Sequence, residues 1–370
     1  MSQPVRRVAF VTSTVARSGP TQQLLNIAGG IAARRWRPVV ITLSPEPAES
    51  RWNDFQAAGI ELVSLGLSRW QGATQGLAAL VRELERRQPD LIHSHGFRGD
   101  VLAGAVSGVP HVATVRNVPW LDYPMTYGLP GHGLVPIHLA RLRRASSVVA
   151  VSATVMAALA PFVPRTTVIR NAVDLAHYYP ASPEEKRSLR LAHGIPTDET
   201  VVVATGHLSE RKNPLRLVRA ALASGVTLLL VGDGPLSKRI AAEAAGHDNI
   251  RLVGRTSDVR PYLRMADLFA SASTAEGFPN AVLEAMASGL PCVLSDIGPH
   301  CELAVAGGTG VRFFDAKRGG GADVLADMFA TAPGWAGPAA GKRSRQFAEE
   351  QLGTSLMVQS YEQLYLSHLR

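Results

Sequence analysis

The sequence has few cysteines and no long apolar run. Its 370 residues include only two cysteines, Cys292 and Cys301, which argues against a disulfide-stabilised fold and indicates a reducing compartment. No apolar stretch reaches the ~20 residues that a membrane-spanning helix needs. The first residues pass directly into a strand pattern, without the apolar core of a signal peptide. We therefore expect a cytoplasmic protein.

Sequence patterns of several functional classes are also absent. The cysteines do not have zinc-binding spacing, and there is no Asp-x-Asp pair of the kind that metal-dependent transferases use. Neither a helix-turn-helix nor an aromatic and basic RNA-binding strand is evident. The first predicted strand lacks the following Gly-x-Gly-x-x-Gly turn that a dinucleotide-dependent oxidoreductase requires. We expect no metal, no cofactor and no nucleic-acid partner.

Acidic residues are outnumbered by basic ones. The chain has 30 Asp and Glu against 38 Lys and Arg, which gives a formal net charge of +8. Basic clusters at residues 34–37, 86–87 and 141–144 fit either scattered surface arginines or attraction to anionic lipid. A peripheral position on the inner face of the cytoplasmic membrane is therefore an alternative to a free cytoplasmic one.

Apolar segments of strand length alternate with helical patterns along the whole chain. The predicted strands are residues 5–12, 38–43, 61–65, 90–94, 111–115, 147–151, 166–169, 201–205, 226–231, 250–253, 267–273, 291–294 and 310–314. This alternation predicts an α/β fold with parallel sheets. Residues 178–183 are rich in proline and have the composition of a linker, so we expect a domain boundary nearby.

The most informative stretch is residues 276–291, EGFPNAVLEAMASGLP. Pro279 suits the first turn of a helix and Gly289 a left-handed cap at its end. Glu276 precedes this helix, and Glu284 lies about two turns further on. A helix N-terminus attracts phosphate, so the two carboxylates could hold hydroxyl groups on either side of one. An ordinary amphipathic helix after a surface glutamate is the simpler alternative.

This stretch resembles the two-glutamate signature of the retaining glycosyltransferases of family 4. The resemblance implies the GT-B architecture, with two doubly wound Rossmann-like α/β domains that face each other across a cleft. It implies an acceptor-binding domain at residues 1–173, a nucleotide-sugar-binding domain at 174–352, and a final helix at 353–370 that packs back on the first domain. It covers nearly the whole chain and is stronger in the second half.

The resemblance also implies which residues bind the donor. Glu276 would contact the sugar, Glu284 the ribose and Lys212 the diphosphate. The further expected donor contacts are His207, Arg211, Gly277, Phe278, Pro279, Asn280, Gly232, Arg255 and Gly19. Two positions depart from the family's pattern. His207 stands where the family has an arginine, and Pro20 removes a backbone donor beside Gly19.

The first half of the sequence contains fewer motifs that indicate functional residues. His93 and His95 lie on one face at the end of a predicted strand, where we favour a polar strand end over a shared ligand. Arg116 stands where the family often has a histidine, and it could stabilise a leaving phosphate or hold an anionic acceptor. The candidate acceptor contacts are His95, Asn117 and Tyr123. We expect residues 120–133 to form a loop at the mouth of the cleft.

The implied function is transfer of a sugar, with retention, from a nucleotide diphosphate sugar. UDP is the favoured nucleotide. The acceptor would be a saccharide or lipid-linked saccharide in cell-surface polysaccharide or glycolipid synthesis. Glu276, Lys212 and Arg116 are the expected catalytic residues, and no metal is expected. The alternatives are a nucleotide-sugar 2-epimerase and a non-catalytic relative that binds sugar nucleotides or glycans.

Overall fold

The computed structural model describes residues 5–304, 310–315 and 321–369, and these form two compact domains. The first contains the described residues as far as Ala172 together with those from Thr354 onward. The second contains those from Val173 to Gly353. None of the helices in these ranges combines the length and the apolar character needed to cross a membrane.

The first domain is built on a parallel sheet in which seven strands are described. They are β1 (Arg6–Thr12), β2 (Trp36–Thr42), β3 (Glu61–Ser64), β4 (Leu91–His95), β5 (His111–Val115), β6 (Ser147–Ala150) and β7 (Thr166–Val168). Their order is β3-β2-β1-β4-β5-β6-β7. The direction of winding reverses between β1 and β4, and ligands of doubly wound sheets bind at such switch points.

Helices connect these strands and cover both faces of the sheet. They are α1 (Gly19–Ala32), α2 (Trp52–Ala57), α3 (Arg69–Thr74), α4 (Gly76–Arg87), α5 (Gly96–Ala103), α6 (Pro119–Tyr127), α7 (Leu129–Leu142) and α8 (Ala153–Leu159). Strand β1 shows why helices must cover both faces of the sheet. Val8 and Phe10 belong to one apolar core, whereas Ala9 and Val11 belong to another, because successive side chains point to opposite faces.

The second domain repeats this design. Its described strands are β8 (Val201–Thr205), β9 (Thr227–Val231), β10 (Ile250–Gly254), β11 (Leu268–Ser271), β12 (Cys292–Ser295) and β13 (Val311–Phe314). They are parallel and lie in the order β10-β9-β8-β11-β12-β13, so this sheet has its switch point between β8 and β11. The prediction of two doubly wound α/β domains is confirmed.

The second domain's helices complete its two layers. They are α9 (Pro183–Ala192), α10 (Pro214–Ser224), α11 (Ser237–Glu243), α12 (Arg260–Met265), α13 (Asn280–Ala287), α14 (Gly298–Cys301), α15 (Gly321–Ala330), α16 (Ala332–Trp335) and α17 (Pro338–Gln351). Single 3₁₀ turns lie at Glu210–Lys212 and Glu302–Ala304. Helix α13 begins at Asn280, so Pro279 is its N-cap residue and not part of its first turn as predicted.

The loop predicted at residues 120–133 is wrong, because helices α6 and α7 occupy this stretch. Its prolines and glycines resemble loop composition. However, Pro119 stands in the first turn of α6, where its missing N–H does no harm. Gly128, with φ of 65°, separates the two helices. Tyr123 therefore lies on a helix.

The last helix, α18 (Thr354–Ser367), packs against α1 in the first domain. Its buried face includes Val358, Tyr361 and Tyr365, which join the apolar core around β1. The Tyr365 hydroxyl lies 2.6 Å from Nδ1 of His93, and the Tyr361 hydroxyl lies 3.0 Å from Oγ1 of Thr114. The end of the chain therefore supplies part of the first domain's core.

Two adjacent glycines in α1 test this packing. A Cβ at Gly30 would overlap the methyl groups of Val358, whereas a Cβ at Gly29 would have no neighbour within 4 Å. We expect Gly30→Ala to destabilise the protein by roughly 1–3 kcal/mol through overpacking. The matched Gly29→Ala should stabilise it by roughly 0.5–1 kcal/mol, because alanine favours the helix. Urea unfolding of the two variants measures both effects, and equal stability would contradict the α1–α18 contact.

Candidate functional site

Three loops at the carboxyl ends of β8, β9 and β10 pack backbone against backbone. The N–H of Gly206 donates to the carbonyl of Val231 at 2.9 Å, and the N–H of Gly232 donates to the carbonyl of Gly254 at 2.9 Å. Gly232 has φ of 147°, and a Cβ on it would overlap the Gly206 carbonyl oxygen. Only glycine fits at this position, because a side chain on Gly232 would push the two loops apart. The loops therefore meet at the carboxyl ends of the strands, where ligands of doubly wound sheets bind.

A buried carboxylate at the same end of the sheet is paired with two cations. Nζ of Lys212, which follows β8, lies 2.6 Å from Oε1 of Glu276, which follows β11. Nη1 of Arg211 lies 3.3 Å from Oε2 of the same carboxylate. The Glu276 side chain is only 7% exposed. Burial alone would raise the pKa of Glu276, but Lys212 and Arg211 outweigh it and hold that pKa below its usual value.

A series of hydrogen bonds connects the Glu276 carboxylate to Ser273, Ser295 and His300. Oγ of Ser273 donates to Oε1 of Glu276 at 2.8 Å, and Oγ of Ser295 donates to the Ser273 carbonyl at 2.6 Å. Nδ1 of His300 lies 2.8 Å from the Ser295 carbonyl, so this nitrogen carries the proton. Burial lowers the pKa of His300 to about 4, and the ring is therefore neutral. None of these three residues was among the predicted site residues.

The second glutamate of the signature has a different environment. Glu284 lies in α13, where burial raises its pKa to about 7, although a hydrogen bond from Tyr178 and the charge of Lys212 act against this. Burial also raises the pKa of Tyr178, so its hydroxyl stays protonated and donates to Glu284. Tyr178 was predicted only as part of a linker. The two carboxylates thus differ in charge near neutral pH.

The remaining residues of the signature surround the start of α13. Gly277, Phe278 and Pro279 are buried, and no side chain caps the helix N-terminus. Asn280 is its first residue. Gly289 has φ of 74°, which confirms the left-handed cap, and the N–H of Leu290 donates to the carbonyl of Ala285 at 3.0 Å.

His207 and Arg255 are exposed and belong to neighbouring loops of the second domain. Hydrogen bonds from Ser237 and from the Gly234 N–H lower the pKa of Asp233, and the charges of His207 and Arg255 lower it further. Both predicted donor residues therefore lie near Asp233, beside the packed glycine loops. Their contacts with a donor remain predictions.

In the first domain, a cavity of about 330 Å³ opens at the carboxyl ends of β1, β4 and β5. The predicted residues that line it are Arg116, His95, Asn117 and Tyr123. The structure thus brings together four of the five site candidates of the first half. Gly19 is the exposed first residue of α1 and is not among the residues that line this cavity.

The two histidines at the end of β4 have different partners, although their rings lie 4.2 Å apart. His93 is held between the Tyr365 hydroxyl and Oγ1 of Thr114, at 2.6 and 2.7 Å, and so has a structural role. Nδ1 of His95 lies 3.1 Å from Nη2 of Arg116. Because arginine only donates, Nδ1 accepts and Nε2 carries the proton. Burial holds the pKa of His95 well below its usual value, so this ring is neutral.

A buried polar network that the sequence did not indicate extends from the cavity wall. The Tyr123 hydroxyl lies 2.6 Å from Nδ1 of His138, and Nε2 of His138 lies 2.9 Å from Oδ2 of Asp100. Oγ of Ser94 donates to the other oxygen of Asp100 at 2.5 Å. This network fixes the orientation of the Tyr123 hydroxyl. It joins β4, α5, α6 and α7, so only the folded chain reveals it.

Two family models match this chain. Residues 17–177 match the model described as Glycosyltransferase Family 4. Residues 199–327 match the model described as Glycosyl transferases group 1. The matches cover most of the first domain and of the second domain, respectively.

Curated relatives include enzymes that act on sugars. Over 271 residues the chain is 28% identical to alpha-maltose-1-phosphate synthase of Mycolicibacterium smegmatis, and the match covers 65% of this chain and 69% of that protein. Over 149 residues it is 32% identical to the Escherichia coli UDP-Gal:alpha-D-GlcNAc-diphosphoundecaprenol alpha-1,3-galactosyltransferase, covering 37% of this chain and 38% of that enzyme. The chain therefore matches about two thirds of the first relative and about two fifths of the second.

The fold also matches solved structures. The Anabaena protein Alr3699/HepE, crystallised in complex with UDP-glucose, superposes with a TM-score of 0.82 at 20% sequence identity. The match covers 98% of this chain and 99% of that one. At this identity the likeness establishes the fold.

The raised pKa of Glu284 predicts a pH-dependent stability. A glutamate in an unfolded chain ionises near pH ~4.3, whereas Glu284 in the folded protein has a pKa of about 7. The folded wild type therefore loses stability as the pH rises between these values. Because glutamine cannot ionise, Glu284→Gln should gain roughly 1–3 kcal/mol relative to the wild type from about pH 5 to about pH 8.

Urea unfolding across this pH range measures the effect. Glu349→Gln is the matched control, since the Glu349 side chain is 52% exposed and its replacement should leave the pH profile unchanged. A Glu284→Gln profile parallel to that of the wild type would show that Glu284 titrates normally.

Proposed function

This chain belongs to the glycosyltransferases of group 1 and family 4, which have the GT-B fold, and from that premise we propose that it transfers a sugar from a UDP-sugar to a saccharide or lipid-linked saccharide. The proposed pathway is cell-surface polysaccharide or glycolipid synthesis. The observation that carries the proposal is the Glu276 carboxylate held by Lys212 and Arg211 beside the N-terminus of α13.

The second domain is the proposed donor site. Glu276 would hold hydroxyl groups of the sugar, and Glu284 those of the ribose. Lys212, Arg211 and the backbone at Gly277 to Asn280 would hold the diphosphate, because cations and helix N-terminal N–H groups stabilise the negative charge that grows on a leaving phosphate. His207, Gly232 and Arg255 would contribute from the loops after β8, β9 and β10.

The nucleotide is proposed from similarity. HepE, which shares this fold, was crystallised with UDP-glucose. The E. coli relative is a UDP-Gal-dependent galactosyltransferase by name. Both support a UDP-sugar as the donor here.

Retention of the anomeric configuration would follow from attack on the face that the diphosphate leaves. The bond between the anomeric carbon and the phosphate oxygen breaks while the acceptor oxygen bonds to the same carbon. The acceptor's proton passes to the leaving phosphate oxygen. We propose no metal for this step, because Lys212 and Arg211 can supply the positive charge that a divalent ion supplies elsewhere.

The acceptor is proposed to bind in the first domain, in the cavity lined by His95, Arg116, Asn117 and Tyr123. The name of the E. coli relative describes a lipid-linked acceptor, which supports an acceptor of that class.

We also propose that the protein binds the inner face of the cytoplasmic membrane. Helices α6 and α7 expose large apolar side chains, and Leu129, the first residue of α7, is 86% exposed. The others are Leu121, Met125, Tyr127 and Ile137. Arg143 and Arg144 follow α7 and are exposed. Apolar side chains beside arginines suit an anionic lipid surface.

The ion pair makes a specific prediction for Glu276→Gln. In the wild type, the Glu276 carboxylate competes with a diphosphate for Lys212. Removing its charge should therefore maintain or raise the affinity for UDP, by as much as about tenfold. Sugar transfer should nevertheless fall by roughly 10²-fold or more, because Glu276 no longer orients the sugar. Lys212→Ala should weaken UDP binding roughly 10- to 100-fold.

Calorimetric titration with UDP measures the UDP affinity of each variant. An assay of UDP release from UDP-glucose measures its sugar transfer. Glu210→Ala is the control from the same turn, since its side chain is 77% exposed. Loss of UDP affinity in Glu276→Gln parallel to its loss of transfer would contradict the competition. Normal UDP binding by Lys212→Ala would refute the donor site.

The membrane proposal predicts salt-sensitive binding to vesicles that contain phosphatidylglycerol. Leu129→Ser combined with Met125→Ser should reduce binding roughly tenfold, because two exposed apolar side chains no longer enter the interface. Leu191→Ser in the second domain is the control, since Leu191 is 63% exposed outside this surface. Vesicle co-sedimentation measures the binding of each variant. If the double variant binds vesicles as well as the wild type does, α6 and α7 are excluded as the membrane-binding surface.

A further inference from the structure

The first-domain cavity lies at the switch point of its sheet. Thr12 and Ser13 at the end of β1 line it, as do His95 and Gly96 at the end of β4. Helix α5 begins there at Gly96, whose φ is 76°. The end of β4 therefore presents both a helix N-terminus and the buried His95 to the cavity, and a helix N-terminus carries partial positive charge.

Two arginines on the cavity wall form no direct ion pair within the described residues, although the charge of Asp100 acts on Arg116 from a greater distance. Arg116 contacts the side-chain oxygen of Asn171 at 3.2 Å and Nδ1 of His95 at 3.1 Å, both of them uncharged. Arg98 donates to the Ser44 hydroxyl. Within the ranges that the structure describes, Nε of Arg116 and Nη2 of Arg98 are buried without a hydrogen-bond partner, and so is Nε2 of His95.

The acidic side chains on this wall already accept hydrogen bonds from uncharged groups. Asp100 accepts from Ser94 and lies beside the His138 ring. Asp122 accepts from Asn117 at 3.1 Å. Neither aspartate forms an ion pair with Arg98 or Arg116 in the described structure. A buried guanidinium is stable only when its charge is compensated and its N–H groups are bonded.

We propose that the acceptor carries an anionic group, a phosphate or a carboxylate, that binds in this cavity to Arg98 and Arg116. The proposal rests on the proposed transferase function and specifies the acceptor of that same reaction. The oxyanion supplies a counter-charge in direct contact, which neither guanidinium group has among the described residues, and arginine binds phosphate and carboxylate oxygens in pairs. His95 Nε2–H supplies an uncharged donor, and the N-terminus of α5 favours negative charge.

Of the two roles considered for Arg116, stabilising a leaving phosphate and holding an anionic acceptor, this assignment favours the second. The residue acts on the acceptor, through the anionic group, and orients the acceptor hydroxyl by holding that group in place. A neutral saccharide would offer neither arginine a directly paired counter-charge, so the proposal predicts that phosphorylated or carboxylated acceptors bind better than neutral ones.

Inorganic phosphate is the probe that tests the proposal. The full chain is first saturated with UDP, so that the donor site is occupied, and is then titrated with phosphate by calorimetry. Arg98→Gln and Arg116→Gln should each weaken phosphate binding roughly tenfold or more, the effect of losing a charged hydrogen bond. Arg98→Lys should retain part of the affinity, because it keeps the charge. Arg86→Gln, at an arginine whose side chain is 73% exposed, should bind phosphate like the wild type.

Titration with UDP distinguishes a failure of the proposed transferase function from a failure of the anionic-acceptor proposal. Wild-type protein that binds UDP but no phosphate would overturn the anionic acceptor and leave the donor site standing. Phosphate binding that is unchanged in both Gln variants would overturn the assignment to these arginines. Failure to bind UDP at all would instead contradict the proposed function. A parallel titration with acetate distinguishes a phosphate site from a general oxyanion site, and thermal unfolding of each variant confirms that it folds.

Discussion

The pairing of Glu276 with Lys212 and Arg211 is the interaction on which the chemistry proposed for the second domain depends. It spans the switch point of the sheet, since Lys212 follows β8, Glu276 follows β11, and these strands are neighbours. The pair keeps a nearly buried carboxylate ionised, although burial alone would favour protonation. It also holds two cations close to the start of α13, where the diphosphate of the proposed donor would bind.

Both domains use their switch points in the same physical way. Each places polar and charged side chains where neighbouring parallel strands end, with a helix N-terminus beside them. In the second domain the cations are neutralised by Glu276. In the first, Arg98 and Arg116 form no direct ion pair with a carboxylate among the described residues. The difference fits a donor that exchanges with an internal carboxylate and an acceptor that brings its own negative charge.

Much of this was predictable from the sequence, because it depends on local pattern. Alternating strands and helices predicted the two sheets, and the spacing of Glu276, Glu284 and Gly289 predicted a loop, a helix and its cap. Contacts between distant segments were not predictable. Lys212 and Glu276 are 64 positions apart, and the Tyr123–His138–Asp100 network depends on how helices pack. The helices over residues 120–133 were not predictable either, because Pro124 lies inside α6 and Pro130 in the first turn of α7, and both resemble the prolines of a loop.

Thermal stabilisation of the purified chain by UDP-, GDP- and ADP-sugars tests the central claim most directly. A ligand that binds only the folded state stabilises it by about 2.7 kcal/mol at a concentration 100 times its Kd. We expect UDP-sugars to raise the melting temperature of the wild type, and Lys212→Ala to remove most of that rise. No shift with any donor, or an equal shift in Lys212→Ala, would contradict a donor site built on the Glu276–Lys212 pair.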